Sequence, residues 1–489
     1  MELTAACTTL DAIEALGRSR GLGSDTVSRM YEPLLSRTHE LASAFLDTID
    51  TRPVKPGASF AELVSALGGP TPEGPQDPVE VIERLAAAVE PGLVASAGPR
   101  YFGFVTGGSL PAAVAADWLA AAWDQNAGLH VLSPAMSAIE EVAAGWVLDL
   151  LNLPRTASVG FVTGATMANV TTLAAARHEV LRRAGWDVEA HGLQGAPRVT
   201  VVAGAEAHAS IRSACRIIGL GASTIVSVPA DEQGRMRGDA LADTLAGVTG
   251  PTIVCAQSGN VNTGAFDPLV EIAAHASRHG AWLHVDGAFG LWAALSGSRR
   301  HWLDGVDRAD SWTIDGHKWL NVPYDSGIAI VAHPAAHRAS MSQTASYLIR
   351  AGGEERDGMD WTPEASRRAR ALPVYAAIRS LGRRGLADLV DRCCDAASRM
   401  AELLAARPGA RVLNDVVLNQ VLVRFVSRAE ENITPAVIAR VQSAGVCWAG
   451  GTNWNGEPAM RISVSGWRTT TADIARSARS IGEALDALR

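Results

Sequence analysis

Apolar residues follow two different spacings along this chain. In segments such as PAAVAADWLAAAW and SPAMSAIEEVAAGWVLDLLN they recur every three or four residues, which predicts helices. Further on, short runs that are apolar throughout are separated by helical patterns. There are seven such runs: VGFV (159–162), RVTVVAG (198–204), STIVSV (223–228), PTIVCAQ (251–257), AWLHVD (281–286), SWTI (311–314) and GIAIVAH (327–333).

The uninterrupted runs predict strands that are covered on both faces, and their alternation with helices predicts a mostly parallel seven-stranded α/β sheet. The last hundred residues mix helices with strands such as QVLVRFV and AMRISVS, which is typical of a smaller α+β domain. We therefore predict a helical N-terminal segment (1–95), a large domain (96–385) and a small C-terminal domain (386–489). Ligands in parallel sheets bind beyond the carboxyl ends of the strands, so candidate site residues are sought there.

The composition narrows the class of protein. Of 489 residues, 47% are hydrophobic and 19% are charged, as in soluble globular proteins, and no apolar run has membrane-spanning length. The net charge of −8 argues against a nucleic-acid partner. Six scattered cysteines without disulfide or zinc spacing, and an N-terminus without signal-peptide features, favour reduced thiols in a cytoplasmic protein.

A lysine stands directly behind a histidine in DGHKWLN (315–321), at the end of the predicted strand SWTI. Lysine is rarely buried without a partner. A desolvated lysine loses its proton easily and becomes a nucleophile, as Schiff-base lysines do. Lys318 is therefore a candidate catalytic residue.

Two other strand ends carry groups that such a lysine would need. The turn Gly164-Ala165-Thr166 opens a helix after VGFV, and the free amides of a helix N-terminus bind anions, although a tight strand-to-helix turn explains the same residues. Asp286 ends AWLHV, where an ionised carboxylate needs a cation such as a protonated pyridine nitrogen. A helix cap or a structural ion pair is the alternative for Asp286.

Two further polar residues follow strands. His208 comes after RVTVVAG, where it could stack on a flat ring or be an ordinary loop histidine, and Asn260 after PTIVCAQ could belong to a plain turn. Taken together, an anion-binding helix start, a ring stacker, a carboxylate and a lysine, which lie at strand ends in that order along the chain, are the components of a pyridoxal 5'-phosphate (PLP) site.

The sequence resembles the group II PLP-dependent decarboxylases, which have the aspartate-aminotransferase fold (fold type I) and include aromatic-amino-acid and glutamate decarboxylases. The resemblance runs over about residues 85–485. It rests on HVDGAFG followed by ADSWTIDGHKWLNVPYDSG, on SRRARALPVYAAIRSLGRRG, and on PRYFGFVTGGSLPAAVAADWL with SPAMSAIEE.

The resemblance implies roles for individual residues. Lys318 would form the aldimine with the cofactor, Asp286 would pair with the pyridine nitrogen, and His208 would stack on the ring. The other implied cofactor contacts are Gly164, Ala165 and Thr166 at the phosphate, Ala288 beneath the ring, Asn260 near the ring, and His317 beside the phosphate or the substrate.

Two further positions, Asp315 and Arg461, have roles that the resemblance leaves open. Asp315 stands where many members have an asparagine near the phosphate, and a carboxylate there would repel phosphate unless it faces elsewhere. Arg461 matches an arginine that in some members meets the substrate carboxylate, and a structural ion pair is the equal alternative. The resemblance also implies an obligate homodimer with shared active sites and intertwined N-terminal helices, in which Phe102 and Phe104 could reach the partner's pocket.

The implied activity is an L-amino-acid decarboxylase that releases CO2 through an external aldimine and a quinonoid, with proton return from His208 or a loop residue. The family's loop tyrosine, counted backward without gaps from SRRARAL, falls on Gly358, and Tyr347 lies eleven residues earlier. Without that acid the same scaffold could act as an aldolase, an aldehyde-forming oxidative deaminase or an aminotransferase. A cofactor-binding protein without activity is a third alternative, which the intact Lys318, Asp286 and His208 oppose. The sequence does not identify the substrate side chain.

Two histidine pairs have helical spacing, namely His275 with His279 and His333 with His337. Such pairs can bind metal, but neither has an evident third ligand. We therefore expect surface histidines and no metal site.

Overall fold

The computed structural model describes residues 31–350 and 355–489. The chain divides into two compact units, with the boundary between Ala95 and Ser96. Cys7 and the start of the predicted N-terminal segment lie outside the described residues.

The first unit is helical where it is described. Its helices are α1 (Tyr31–Thr48), α2 (Phe60–Leu67) and α3 (Pro78–Val89). A capping box of Ser59 and Glu62 starts α2, and the Asp77 carboxylate caps α3 ahead of a proline in its first turn. None of the residues in these three helices is buried.

The second unit is built on a seven-stranded sheet. The strands are β1 (Ser158–Val162), β2 (Thr200–Gly204), β3 (Ile225–Val228), β4 (Thr252–Gln257), β5 (Trp282–Asp286), β6 (Ser311–Asp315) and β7 (Gly327–Val331). Their order is β1-β7-β6-β5-β4-β2-β3, and β7 runs antiparallel to both of its neighbours while the other pairs are parallel. The predicted mostly parallel sheet is thus confirmed, strand by strand.

Helices surround this sheet. They are α4 (Pro111–Trp123), α5 (Pro134–Leu150), α6 (Ala165–Arg183), α7 (Val188–His191), α8 (Ala209–Ile217), α9 (Gly238–Ala246), α10 (Leu269–His279) and α11 (Pro334–Met341). Val201 and Ala203 of β2 belong to one hydrophobic cluster, and Val202 between them belongs to another. Both faces of the sheet are therefore packed, which is why the strand sequences do not alternate.

The C-terminal part is a smaller α+β layer. It comprises α12 (Ala371–Ala405), β8 (Ala410–Val412), β9 (Gln420–Phe425), α13 (Thr434–Ala444), β10 (Gly450–Trp454), β11 (Glu457–Ser463) and α14 (Thr471–Asp486). Its four strands form an antiparallel sheet in the order β10-β11-β9-β8. The long helix α12 runs through the predicted boundary at residue 385 with a local break at Gly382 (φ 60°), so that boundary stays a prediction.

Among the residues that the structure describes, no helix combines the length and the apolar character needed to cross a bilayer. The cysteines in these residues are free thiols and all are buried: Cys215, Cys255, Cys393, Cys394 and Cys447.

Candidate active site

Lys318 lies three residues beyond the end of β6 and is held by an ion pair. Its Nζ is 3.1 Å from Oδ2 of Asp315, and its side chain is only 16% exposed. A lysine in such surroundings needs a counter-charge, and Asp315 supplies it. The amine therefore has a fixed position at the carboxyl edge of the sheet.

The side chain of Asp315 also lies at the start of α6. Its Oδ1 accepts a hydrogen bond from the amide of Ala165 at 2.6 Å, where the helix dipole favours a negative charge. The carboxylate thus faces Lys318 and takes up one first-turn amide. The amides of Thr166 and Met167 have no protein acceptor in the described part of the chain and stay available to an anion.

Glycines allow a close approach at this turn. A Cβ on Gly327 of β7 would overlap the backbone of Gly164, and a Cβ on Gly164 would lie 3.1 Å from Cε1 of His317. The turn from β1 into α6 therefore packs directly against β7 and the histidine that precedes Lys318.

His317 has a defined tautomer. Its Nδ1 accepts the amide hydrogen of Ser326 at 3.1 Å, so a neutral ring carries its proton on Nε2, which lies 3.3 Å from Oδ1 of Asp315. Burial lowers the pKa of His317, which favours this neutral form. The ring of His317 also packs against that of Tyr324, with the ring centroids 4.3 Å apart.

Asp286 ends β5 as a buried carboxylate, only 5% exposed. Three groups lie within hydrogen-bond distance of its oxygens: Asn169 Nδ2 (3.2 Å), the amide of Ala288 (3.2 Å) and the hydroxyl Oγ of Ser210 (3.4 Å). All three groups are neutral, and no cationic side chain within residues 31–350 or 355–489 forms an ion pair with it. A buried carboxylate without a cation is the environment that a protonated pyridine nitrogen would complete, so this end of the site fits PLP.

A chain of hydrogen bonds supports Asp286 from behind. Because Nδ2 of Asn169 donates to Asp286, its Oδ1 accepts from Nε2 of His284 at 2.9 Å. Nδ1 of His284 then accepts from the hydroxyl of Ser311 at 3.0 Å, and Ser311 accepts from Nε1 of Trp282 at 2.9 Å. Burial lowers the pKa of His284 to about 4, so the imidazole in this chain is neutral at pH 7.

His208 caps helix α8. Its Nδ1 accepts the amide hydrogen of Ser210 at 3.2 Å and lies 2.7 Å from the hydroxyl of the same serine. Burial is the main cause that lowers the pKa of His208, and the negative charge of Asp286 partly offsets it. The structure therefore brings His208 and Asp286 together, while stacking of His208 on a ring stays a prediction.

Ala288 and Asn260 stabilise the ends of the strands in different ways. The carbonyl of Ala288 accepts the amide hydrogen of Asp315 at 2.8 Å, which ties the ends of β5 and β6 together. The side-chain oxygen of Asn260 accepts the amide hydrogens of Asn262 (2.8 Å) and Thr263 (3.2 Å), so it stabilises its own turn. This geometry favours the plain-turn alternative for Asn260, and a cofactor contact stays a prediction.

Arg461 lies on β11 with its guanidinium turned toward the site, where its positive charge lowers the pKa of His208. Burial lowers the pKa of Arg461 itself. Its guanidinium has no hydrogen bond or ion pair with any residue that the structure describes. The structural ion pair weighed as an alternative is therefore not formed, and a substrate carboxylate remains the available partner.

Two aromatic residues, Phe102 and Phe104, belong to a segment that packs on the backbone of Lys318. The segment that contains them is so close that a Cβ on Gly107 would overlap the carbonyl oxygen of Lys318. Phe104 is 62% exposed and stacks on Trp448 with centroids 5.4 Å apart. Phe102 is buried in the core at 1% exposure, so it is not available to a partner subunit and that expectation is wrong.

The position expected for the loop tyrosine needs correction. Gly358 is buried in a short 3-10 turn, and a Cβ there would overlap the carbonyl oxygen of Ala127 and the guanidinium of Arg367. No tyrosine fits at this position, so the count that placed the loop tyrosine there is wrong. Tyr347 lies in the segment after α11 and is 80% exposed, as a residue of a surface loop would be.

Metal ligands are not clustered. The parts of the chain with described structure contain no group of three or more His, Cys, Asp or Glu residues that could hold a metal ion. His333 bonds Asp310 at 2.8 Å, whereas His337 is fully buried with its Nδ1 2.9 Å from the hydroxyl of Ser158. The expectation of a surface position is therefore wrong for His337.

Sequence reasoning missed the residues that support Asp286. Asn169 and Ser210 lie inside helical patterns, where a polar residue gives no signal of its own. A signal existed on the strands, since His284 and Asp286 on β5, and Ser311 with Asp315 on β6, recur at the period of two that places side chains on one face.

Comparisons with known proteins agree with this geometry. The family model "Pyridoxal-dependent decarboxylase conserved domain" matches residues 64–426. Tryptophan decarboxylase 1 of Oryza sativa subsp. japonica is 31% identical over 371 residues, which cover 71% of this chain and 71% of that protein. The 4-hydroxyphenylacetaldehyde synthase of Rhodiola rosea is 26% identical over 449 residues, covering 88% and 90%.

The crystal structure of Oryza sativa TDC with PLP and tryptamine superimposes on this chain with a TM-score of 0.87 at 25% identity, covering 96% of this chain and 99% of that one. The match of the family model extends over most of the chain and includes every strand of the large sheet. This chain therefore belongs to the pyridoxal-dependent decarboxylase family, and its cofactor is pyridoxal 5'-phosphate.

Proposed function

We propose that this protein removes the α-carboxylate of an L-amino acid as CO2 and releases the corresponding amine. The observation that carries the proposal is the pairing of a buried, cation-free carboxylate, Asp286, with a positioned amine, Lys318, at one edge of the sheet. PLP, when bound, supplies an electron sink for the electrons of a bond that breaks at Cα.

The residues around Lys318 have distinct tasks in this proposal. Lys318 would hold the aldehyde carbon of the cofactor, and Asp286 would hold its pyridine nitrogen. Oδ2 of Asp315, 3.1 Å from Nζ, is placed to take the proton that Lys318 must lose before it can act as a nucleophile. The first turn of α6 would bind the phosphate through the amides of Thr166 and Met167.

Arg461 would bind and orient the substrate carboxylate. Its guanidinium is desolvated and has no protein acceptor in the described ranges, and a charge-assisted hydrogen bond to a carboxylate would satisfy it. Orientation decides which bond at Cα aligns with the cofactor's ring, so Arg461 would help to select the bond that breaks, and we propose that it is the bond to the carboxylate.

The return of a proton to Cα decides between an amine and an aldehyde. One relative bears the name of an aldehyde synthase, so both outcomes occur among proteins similar to this chain. Tyr347 has an exposed phenol on the loop after α11, whereas Gly358 has no side chain to offer. The presence of Tyr347 favours protonation and hence the amine.

We infer the side-chain class of the substrate from the exposed rings near the site. Phe104 stacks on Trp448, Tyr324 packs on His317 next to Lys318, and Arg461 is the cation that the substrate's α-carboxylate would use. Aromatic rings bind other rings by stacking and edge-to-face contact. We therefore infer an aromatic L-amino acid, as the name of the rice relative also suggests.

A homodimer is the assembly that the first unit favours. Its helices bury none of their residues, and their exposed apolar side chains include Leu35, Phe60, Val64, Val81 and Leu85. Apolar helix faces of this kind are covered in a stable assembly. We infer that a second copy of the chain covers them and that Phe104 then contributes to a shared site.

The experiment that tests this function measures CO2, amine, aldehyde and hydrogen peroxide together. The PLP-loaded protein is given aromatic, acidic, basic and aliphatic L-amino acids in separate reactions. The proposal predicts CO2 and amine in equal amounts from an aromatic substrate. Aldehyde and peroxide in place of amine would overturn the amine-forming step, and no CO2 from any amino acid would overturn decarboxylation.

A further inference from the structure

The hydroxyl of Ser210 lies between two residues of the site. Its Oγ is 2.7 Å from Nδ1 of His208 and 3.4 Å from Oδ2 of Asp286. Ser210 is buried at the start of α8, and Oγ also accepts a hydrogen bond from Nδ2 of Asn169 at 2.9 Å. The serine therefore joins the ring-stacking candidate to the carboxylate that would hold the pyridine nitrogen.

Counting protons shows a conflict at this hydroxyl. Nδ1 of a neutral His208 is an acceptor, because the amide of Ser210 donates to it at 3.2 Å. Asp286 is an acceptor in its ionised form. Ser210 has one hydroxyl proton, so it can donate to His208 or to Asp286 but not to both.

The protonation state of His208 resolves the conflict. When the imidazole is neutral, the shorter contact directs the hydroxyl proton to Nδ1, and Oδ2 of Asp286 keeps only Asn169 as a donor. When Nδ1 is protonated it donates to Oγ, and the hydroxyl proton must turn to Asp286. Each arrangement satisfies every hydrogen at Oγ, but in the protonated arrangement the amide of Ser210 loses Nδ1 as its acceptor.

We propose that Ser210 is a positioning residue that shares one proton between His208 and Asp286, so that the state of His208 sets the hydrogen bonding of the carboxylate. With His208 neutral, Asp286 has one hydrogen-bond donor fewer, which leaves a lone pair on Oδ2 free to accept from a pyridinium N–H. The consequence for catalysis rests on the proposed function, whereas the proton sharing itself does not.

Several charged groups face this pair. Asp286 and Asp315 stabilise the charged form of His208, whereas Lys318 and Arg461 oppose it. On the other side, Asp286 faces the neutral His284 and the buried thiol of Cys255. Burial is the largest influence and lowers the pKa of His208, so the neutral arrangement dominates at pH 7 and above.

The test measures the pKa of His208 by NMR in the PLP-free protein labelled at histidine. Ser210→Ala removes a hydrogen bond from both states of His208, and because the bond made by the charged imidazole is the stronger one, the pKa of His208 should fall by about 0.5–1. Ser210→Thr keeps a hydroxyl and should restore most of the difference. Ser158→Ala is the matched control, because it removes another buried serine hydroxyl that bonds an imidazole Nδ1, that of His337.

A double-mutant cycle with Asp286→Asn tests transmission through the hydroxyl. The proposal predicts that Asp286→Asn lowers the pKa of His208 clearly more in the Ser210 background than in Ser210→Ala. Equal shifts in both backgrounds would show that the two residues interact through space alone and would overturn the proposal. Should Ser210→Ala fail to fold, Ser210→Gly removes the same hydroxyl and serves in its place.

A second readout uses the bound cofactor's absorbance as a function of pH. In the wild type, the spectrum should change with the pKa of His208, and in Ser210→Ala this step should be lost. An unchanged step would also overturn the proposal. Because the NMR titration needs no substrate and no cofactor, its result is independent of whether the protein releases CO2.

Discussion

Two halves of the site differ in how completely one chain builds them. The proposed cofactor half comprises Lys318, Asp315, Asp286 and His208 with their hydrogen-bond partners, and Asp286 and Asp315 are almost fully buried. The proposed substrate half comprises Phe104, Tyr324, Tyr347 and Arg461, and its three aromatic rings are 62–80% exposed. The first half is enclosed by its protein partners, whereas the rings of the second keep most of their surface exposed, although Phe104 stacks on Trp448 and Tyr324 packs on His317.

The difference follows from the cost of burying charge. A buried carboxylate must find donors within the same chain, so Asp286 and Asp315 are fixed by strands and a helix start. Exposed aromatic rings need no hydrogen-bond donors from the same chain. They can therefore be covered later by a substrate, by a loop or by a second subunit. We therefore expect the cofactor to be bound rigidly and the substrate to be bound by side chains that can still adjust.

The largest expected effect comes from removing the amine of the cofactor half. Lys318→Ala should lower CO2 release by about a thousandfold or more, because the covalent hold on the cofactor is lost. Steady-state CO2 release of the PLP-loaded proteins measures it. The chain has only one other lysine, Lys55, so Lys55→Ala is the natural control and should leave the rate unchanged.

Removing the carboxylate of the same half should have the next largest effect. Asp286→Asn should lower kcat by about a hundredfold, since a neutral amide no longer stabilises a protonated pyridine nitrogen. Asp267→Asn is the control, because Asp267 is an equally buried carboxylate held by backbone amides of Met236 and Gln257. Equal losses of kcat in both variants would show that Asp286 has only a structural role.

In the substrate half, the loop phenol should control the product. Tyr347→Phe should lower amine formation by about tenfold or more while CO2 release falls less, because general-acid catalysis contributes roughly 10²–10⁴-fold. Product analysis by chromatography measures both. Tyr375→Phe changes a phenol that packs on Trp146 instead, and it should not alter the ratio of amine to CO2.

The residues of the site differ in how well the sequence predicts them. Lys318, Asp286 and His208 were found because each follows a strand whose apolar run is unmistakable. Asn169 and Ser210 were not, since their role depends on which helix face meets β5. A count across the loop without gaps gives Gly358, and such a count goes wrong where the length of the loop differs between relatives.

Lowering the pH should reduce the free energy of unfolding by a smaller amount, through His284 behind Asp286. The unfolded chain protonates His284 near pH 6.5, whereas the folded protein does so only near pH 4. The unfolded state therefore binds more protons in this window, and the free energy of unfolding should fall by about 1 kcal/mol from pH 6.5 to 5.5 on account of this residue. Denaturant titrations of the wild type and His284→Gln measure the difference, and equal pH slopes would contradict it.

The most direct test of the account is to locate the cofactor on the chain. The PLP-loaded protein is reduced with borohydride, which fixes the cofactor covalently to the amine that holds it, and the peptides are mapped by mass spectrometry. With two lysines in 489 residues, the assignment leaves little room for ambiguity. The account predicts the adduct on Lys318. An adduct on Lys55 or on the N-terminal amine, or no adduct at all, would contradict it.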